Sequence, residues 1–180
     1  YESTTFCVGK ENKIDVLETI NYPHSLGALY STFTEFLGFR ANSDEWKVMA
    51  MASYADYDNK YYEIMKNEVV KFCDNGKFEL NLNLFNGYLH EHPNLYSEKL
   101  VDLFGQSRNY SDEMKDEHYQ IASALQKISE DISVHLLEHL YDITKKKNLV
   151  LSGGFFMNSV FNGKVLDLSP FENLFISSCP

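Results

Sequence analysis

One stretch of the sequence, Asn148-Leu-Val-Leu-Ser-Gly-Gly-Phe-Phe-Met-Asn158, predicts a buried strand, a two-glycine turn and the start of a helix. The apolar run at 149–151 suits a short strand covered on both faces, and a strand that enters a helix through a tight turn is half of a parallel unit. Glycines let a phosphate or ribose approach the backbone, and the first N–H groups of a helix favour an anion. The stretch is neither a G-x-G-x-x-G fingerprint nor a Walker loop, so ordinary packing explains it equally well.

The residues after this turn complete a strand–helix–strand unit. We expect a helix over about 155–166 and a second strand at 174–177, beyond the helix breaker Pro170. A strand, a helix and a strand in this order imply a parallel crossover. The predicted fold class is therefore α/β, with further helices around that core.

Two helices are predicted in the first third of the chain. Apolar residues recur every three or four positions over 24–39, which indicates a helix that buries a broad aromatic face. A second helix is predicted over 46–52, after a cluster of residues suited to an N-cap. Its apolar residues Trp46, Met49 and Ala50 share one face.

The middle of the chain predicts one long helix and several shorter elements. A helix over 58–73 is expected to end at the turn before a strand at 77–81, and a short helix is expected near 96–104. The longest helix is predicted over 112–147. Its apolar stripe consists of Ile121, Leu125, Ile128, Ile132, Leu136, His139, Leu140 and Ile143.

Composition limits the classes of function. The 180 residues are 44% hydrophobic and 14% aromatic, which excludes a mainly disordered chain and suits one domain. A formal net charge of −10 argues against nonspecific binding to nucleic acid or to an anionic membrane. Cys7, Cys73 and Cys179 give neither a CxxC metal pair nor a disulfide framework, so we expect a cytoplasmic protein. The lack of an initiator Met suggests a piece of a longer chain.

Two histidine pairs have spacings that metal sites use. The segment His135-Leu-Leu-Glu-His139 spells H-x-x-E-H, the pattern of one metalloprotease class, with both histidines on one side of a helix. A pair of core histidines explains the same pattern, and no distinctive downstream glutamate is present. His90 and His92 lie in a polar stretch and are expected in a loop or an exposed strand. We therefore expect no metal site in this chain.

Four blocks, in this order, resemble the O-carbamoyltransferases of nodulation-factor and antibiotic biosynthesis. The resemblance covers most of the chain, and it implies an actin-like ATPase (ribonuclease-H-like) domain with inserted helices. Residues 1–180 would be a single partial domain, the later part of that actin-like domain. The blocks are His24-Ser-Leu-Gly-Ala-Leu-Tyr-Ser-Thr-Phe-Thr-Glu-Phe-Leu-Gly-Phe39, Asn42-Ser-Asp-Glu-Trp-Lys-Val-Met49, Ile121-Ala-Ser-Ala-Leu-Gln126, and Leu151-Ser-Gly-Gly-Phe-Phe-Met-Asn158 with Asn162-Gly-Lys164.

The resemblance also implies an ATP-dependent activity of the complete protein. Carbamoyl phosphate and ATP would form carbamoyl adenylate in a second, downstream domain, and the actin-like domain would pass the carbamoyl group to a hydroxyl of a small acceptor. Nucleotide contacts would fall on Gly153, Gly154 and Asn158, and also on Glu45 and Lys47. A surface pair is an equally simple explanation of Glu45 and Lys47, because adjacent helical positions diverge. A divalent metal would be held by residues outside 1–180, and this chain alone is expected to be inactive.

Departures from the family pattern concern the shape of the loops. Asp44 stands where the family usually has Gly, and 50–55 replaces a Gly-Leu-Ala-Pro-Tyr-Gly segment. Bulky residues at 155–157 replace small and aliphatic ones, and they would either narrow a nucleotide pocket or pack a wider core. These differences leave the range of acceptors open.

Two other classes of protein fit the same residues. A sugar-kinase-like or other actin-like ATPase would share the fold and the glycine turn, but would carry a catalytic aspartate and phosphate loops upstream. A noncatalytic interaction domain would use the tyrosines Tyr54, Tyr57, Tyr61 and Tyr62 against a partner, although packing is their more ordinary role.

Overall fold

The computed structural model describes residues 1–89 and 92–178, so the predictions for His90 and Cys179 fall outside the described residues. Three two-stranded sheets alternate with helices along these residues, which confirms a mixed α/β organisation. The strands are β1 (Glu2–Lys10), β2 (Lys13–Asn21), β3 (Val70–Phe72), β4 (Phe78–Leu80), β5 (Asn148–Leu151) and β6 (Asn173–Ile176). The α-helices are α1 (Leu26–Phe36), α2 (Glu45–Met51), α3 (Lys60–Ile64), α4 (Glu98–Phe104), α5 (Asp116–Thr144), α6 (Ser159–Asn162) and α7 (Val165–Leu168).

The hairpin of β1 and β2 was not predicted from the sequence. The two strands pair antiparallel, and Phe6 and Ile20 reach the core. Ile14 and Val16 lie beyond the core and are exposed. The turn between the strands contains no glycine, which is the residue that marks most tight hairpins. The strand signal was therefore weak, although apolar and polar residues alternate along part of β2.

Helices α1 and α2 confirm two predicted helices. Helix α1 is shorter than predicted at both ends, and α2 begins and ends one residue earlier than predicted. Ser25 caps α1 by accepting a hydrogen bond from the N–H of Ala28 at 3.2 Å. Helix α2 buries Val48 and Met51, and not the face shared by Trp46, Met49 and Ala50; Trp46 is 60% exposed.

The helix predicted over 58–73 is confirmed as far as Val69 and was wrong over 70–73. Helix α3 continues as one π-helical turn, Met65–Val69, and the chain then enters β3, which pairs antiparallel with β4. Asn75 and Gly76 have positive φ angles of 59° and 65° and reverse the chain between the strands. An Asn-Gly pair between apolar runs is a hairpin signal, and here it prevails over the helical spacing.

Helix α5 passes through the centre of the fold and confirms the longest predicted helix. The first five positions of its predicted stripe, from Ile121 to Leu136, are buried. Ile143 is 42% exposed, because the end of the helix extends past the core. Over 121–133 most side chains are buried, including the polar Gln126 and Glu130. Polar groups on this helix therefore need partners inside the protein.

His118 contributes to the start of α5. Its Nδ1 accepts a hydrogen bond from the N–H of Lys115 at 3.0 Å, and the side chain is buried. The contact has the geometry of a capping box and requires an unprotonated Nδ1. Burial lowers the pKa of His118 below its usual 6.5, against an opposing effect of Glu117.

This lowered pKa predicts a loss of stability in acid. As the pH falls below about 6.5, the unfolded chain binds a proton at His118 before the folded chain does, so the stability present above that pH is lost below it. Between about pH 7.5 and about pH 5, we expect the free energy of unfolding of wild type to fall more than that of His118→Gln, whose amide accepts the same bond without titrating. Urea unfolding at both pH values measures the difference. His92→Gln, at an exposed position, is the control and should lose as much stability as wild type. If His118→Gln loses as much stability as wild type over this pH range, the prediction is contradicted.

Strands β5 and β6 pair in parallel, as predicted. The single helix predicted between them was wrong, because a 3₁₀ helix (Gly154–Met157) and the short helices α6 and α7 take its place. The expectation that β5 is covered on both faces was also wrong. Leu149 and Leu151 are buried, whereas Val150 and its cross-strand neighbour Phe175 are 65% and 64% exposed.

The buried apolar side chains form two clusters. The main core surrounds α1 and the first half of α5. The small core lies between the end of α5 and the β5–β6 pair, and it consists of Leu137, Leu149, Leu151, Phe161, Val165 and Phe171. Phe155, in the 3₁₀ helix, packs against both clusters. None of the helices in the described residues combines the length and the apolar character needed to cross a membrane.

Candidate functional site

The glycine turn joins β5 to the 3₁₀ helix and is open on its outer side. Gly153 has φ 110° and ψ 157°, a backbone conformation that residues other than glycine rarely adopt. A Cβ atom added at Gly153 or at Gly154 would meet no atom within 4 Å. The backbone of the turn therefore faces free space, and the described residues fit the close approach of a nucleotide at this point.

Asn158 lies at the inner end of this turn and caps α6. Its Oδ1 accepts a hydrogen bond from the N–H of Phe161 at 3.0 Å, which is the usual role of an N-cap residue. The side chain is 8% exposed, so it contacts the protein interior more than solvent. Asn158 thus joins the open turn to the buried residues beneath it.

A buried polar network lies below the turn. The amide of Gln126 pairs with the amide of Asn158, at 2.8 Å from Asn158 Nδ2 to Gln126 Oε1 and 3.3 Å from Gln126 Nε2 to Asn158 Oδ1. Gln126 also accepts a hydrogen bond from the Tyr30 hydroxyl at 3.1 Å and donates one to Glu130 at 2.9 Å. Lys164 Nζ lies 2.8 Å and 3.1 Å from the two carboxylate oxygens of Glu130. The network thus runs from α1 through α5 to the segment after α6.

Tyr30 lies between the network and the loop that precedes α2. Burial raises the pKa of its hydroxyl far above the usual value, and the negative charges of Glu130 and Glu45 raise it further. The hydroxyl therefore stays protonated at neutral pH and acts as a hydrogen-bond donor. The ring of Tyr30 also packs against that of Phe155, with ring centroids 6.4 Å apart.

Glu45 and Lys47, the other two residues proposed for nucleotide contact, lie at the start of α2. Glu45 Oε1 accepts hydrogen bonds from the Ser31 hydroxyl and the Asn42 N–H, both at 2.6 Å. Lys47 Nζ lies 3.0 Å from Asp44 Oδ1, and this pair lowers the pKa of Asp44. Helix α2 contacts the start of α6, where Ser159 Oγ lies 3.7 Å from Met49 Sδ. The structure thus places Gly153, Gly154 and Asn158 in one segment and Glu45 in a neighbouring one, and Lys47 contacts its own loop.

The histidines of the H-x-x-E-H segment connect α5 to the two hairpins. His135 Nε2 lies 2.9 Å from the carbonyl oxygen of Cys73, and His139 Nε2 lies 3.1 Å from Glu18 Oε1. Within residues 1–89 and 92–178, no three His, Cys, Asp or Glu side chains are grouped so that they would hold a metal ion. The described residues therefore offer no ligand set for the divalent metal that the resemblance implies, and we assign that metal no role in this chain.

Four residues of the network were missed in the sequence reading. Tyr30 and Gln126 fall within quoted blocks but were treated as part of the packing, and Lys164 was quoted without a role. Glu130 follows Gln126 by four residues on a buried stretch of helix. A polar pair at this spacing inside an apolar stripe was the available signal, because buried polar groups require partners.

Comparisons with known proteins identify the family. A family model described as Carbamoyltransferase N-terminus matches residues 1–180. An uncharacterized protein of Synechocystis sp. is 32% identical over 177 residues, which are 98% of this chain and 28% of that protein. Nodulation protein NolNO of Sinorhizobium fredii is 28% identical over 182 residues, which are 98% of this chain and 24% of that protein. Nodulation protein NolO of Bradyrhizobium diazoefficiens is 28% identical over 163 residues, which are 89% of this chain and 27% of that protein.

This chain spans about a quarter of the length of each of these curated relatives. The family model, by contrast, covers the chain from its first residue to its last. The chain therefore belongs to the Carbamoyltransferase N-terminus family.

Proposed function

We propose that this chain forms part of the nucleotide-binding side of an ATP-dependent O-carbamoyl-transfer site in the complete protein. The observation that supports the proposal most strongly is the family match over residues 1–180. In the proposed reaction, carbamoyl phosphate, water and ATP give carbamoyl adenylate, phosphate and pyrophosphate in another domain of the complete protein. The carbamoyl group then passes to the hydroxyl oxygen of a small acceptor, and AMP is released. We expect this to take place in the cytoplasm.

The geometry of the glycine turn is consistent with nucleotide binding. Gly153 and Gly154 present backbone to free space, and Asn158 presents an amide beside them. Glu45 offers a carboxylate that can accept a hydrogen bond from a ribose hydroxyl, and Lys47 offers a point charge for a phosphate. These roles match those that the resemblance implies for the same five residues.

We also infer that β5 and β6 belong to an actin-like (ribonuclease-H-like) ATPase domain. The two strands are parallel, and parallel sheets are normally covered on both faces. Here Val150 and Phe175 expose an apolar cross-strand pair on one face. A further layer in the complete domain would cover this face.

The proposed activity is tested with the complete protein. We expect ATP consumption that requires both carbamoyl phosphate and a hydroxylated acceptor, measured by the release of AMP. ATP consumption without carbamoyl phosphate would instead favour a sugar-kinase-like or other actin-like ATPase. No consumption with any acceptor, together with no ATP binding, would favour a noncatalytic interaction domain.

Gly154→Ala tests the place of the nucleotide. The added Cβ meets no protein atom within 4 Å, so Tm should be unchanged, but the methyl group would occupy space that the nucleotide needs. We expect the Kd of the complete protein for AMP, the nucleotide released at the transfer site, to rise about tenfold. Gly9→Ala, in β1, also adds a Cβ to open space and is the matched control. An unchanged Kd in Gly154→Ala would show that the nucleotide does not bind at this face of the turn.

A further inference from the structure

We infer that Gln126 is a positioning residue that fixes the glycine turn through Asn158. The inference rests on the proposed nucleotide-binding function and adds a residue that lies behind the binding surface. Gln126 is on α5, 32 positions before Asn158 in the sequence, and its side chain is 5% exposed. It reaches the turn from the interior and does not touch the open side.

Hydrogen bonds fully occupy the amide of Gln126. Its Oε1 accepts from the Tyr30 hydroxyl and from Asn158 Nδ2, and its Nε2 donates to Glu130 and to Asn158 Oδ1. A primary amide has two donor hydrogens and one oxygen with two lone pairs, so four contacts use its whole capacity. The Glu130 carboxylate can only accept a hydrogen bond, whereas the Tyr30 hydroxyl can donate or accept. Glu130 therefore decides which end of the Gln126 amide is nitrogen, and Tyr30 donates to the oxygen that remains.

The orientation of Gln126 in turn decides the orientation of Asn158. Asn158 Oδ1 accepts from Phe161 N–H and from Gln126 Nε2, while Asn158 Nδ2 donates to Gln126 Oε1. A rotation of the Asn158 amide by half a turn would place its NH₂ group against two donors. The pairing leaves one Nδ2 hydrogen of Asn158 for a further acceptor, which suits the proposed contact with a nucleotide.

A charge pair fixes the other end of the same segment. Glu130 is 5% exposed, and Lys164, whose side chain is 49% exposed, contacts both of its carboxylate oxygens. Gln126 and Glu130 lie four residues apart on α5, and therefore on one side of the helix. From there they hold Asn158 at the start of α6 and Lys164 just after its end. The segment that carries the glycine turn is thus attached to α5 at two points.

A double-mutant cycle in the complete protein tests this inference, with AMP titrated directly by calorimetry. Gln126→Met keeps the length of the side chain and removes all four hydrogen bonds, and we expect the Kd for AMP to rise about tenfold. Asn158→Ser keeps a hydroxyl that can cap α6 but is too short to pair with Gln126. In that background, Gln126→Met should raise the Kd less than about twofold, because residues that act as one unit are non-additive.

Gln120→Met is the matched control, because Gln120 lies on the same helix outside the network and its side chain is partly exposed. It should leave the Kd unchanged. Thermal melting reports whether each variant folds. If Gln126→Met does not fold, Gln126→Asn takes its place in the cycle, because it keeps an uncharged amide that is one methylene shorter and no longer reaches Asn158.

The outcomes separate the inference from the proposed function. Equal rises in Kd in both backgrounds, or a wild-type Kd in the folded Gln126 variant, would overturn the positioning role alone. A lower Tm with no coupling to Asn158 would be a merely structural effect and would also overturn it. Failure of the wild-type protein to bind AMP would overturn the proposed function, and the inference with it.

Discussion

Gly76→Ala is expected to destabilise the 180-residue chain by roughly 3 kcal/mol or more. Gly76 has φ +65°, and a Cβ added there would lie 2.2 Å from the Cβ of His139. No rotation of a side chain relieves a contact between two Cβ atoms, so the β3–β4 turn would have to move away from α5. The contact of His135 with the Cys73 carbonyl would be lengthened by the same movement. Urea unfolding, followed by circular dichroism, measures the loss.

Asn75→Ala is the control for this prediction. Asn75 is in the same turn with φ 59°, and its side chain is exposed. The substitution introduces alanine at a left-handed backbone position without the contact to α5, and we expect a loss of about 1 kcal/mol or less. An equal loss in both variants would show that backbone strain, and not the contact with His139, determines the effect at Gly76.

Phe33→Ala is expected to cost about 3–5 kcal/mol of unfolding free energy. Phe33 is fully buried on α1, and its ring makes edge contacts with those of Phe36 and Phe104, at centroid distances of 6.2 Å and 5.0 Å. Truncation removes these contacts and leaves a cavity between three elements. The same unfolding measurement on Phe175→Ala is the matched control, because that ring is 64% exposed and its loss should cost roughly 0.5 kcal/mol or less. Similar losses in the two variants would contradict the assignment of Phe33 to the main core.

The elements that were predictable from the sequence are those with a long and regular apolar pattern. Helix α5 has a stripe that repeats over several turns, so errors of a few residues at its ends did not change its assignment. The β3–β4 hairpin has strands of only three residues, and a helical spacing ran through β3 up to the Asn-Gly pair. Pattern alone does not separate such short strands from the end of a helix. The β1–β2 hairpin was missed because its exposed apolar residues gave no consistent inner face.

The candidate site was predictable only where the chain itself brings residues together. Gly153, Gly154 and Asn158 lie within six consecutive residues. The strand–turn–helix pattern indicated the two glycines, and the family resemblance indicated Asn158. Tyr30 and Gln126 are 96 residues apart in the sequence, so their contact depends on how α1 packs against α5. The apolar pattern of a single sequence does not show how two distant helices pack against each other. Contact of Glu45 and Lys47 with a nucleotide is still a prediction.

The division of the apolar residues into two clusters has a consequence for local stability. The glycine turn is attached to a cluster of six buried side chains, which is much smaller than the main core. The free energy of a partial opening is set by the residues it exposes, so strands β5 and β6 can separate from the rest while α1 and α5 stay packed. In amide hydrogen exchange, the amides of β5 and β6 would exchange together through this partial opening, separately from the amides of the main core. The amide pair of Gln126 and Asn158 lies at the boundary of the part that opens, and its hydrogen bonds therefore oppose the opening.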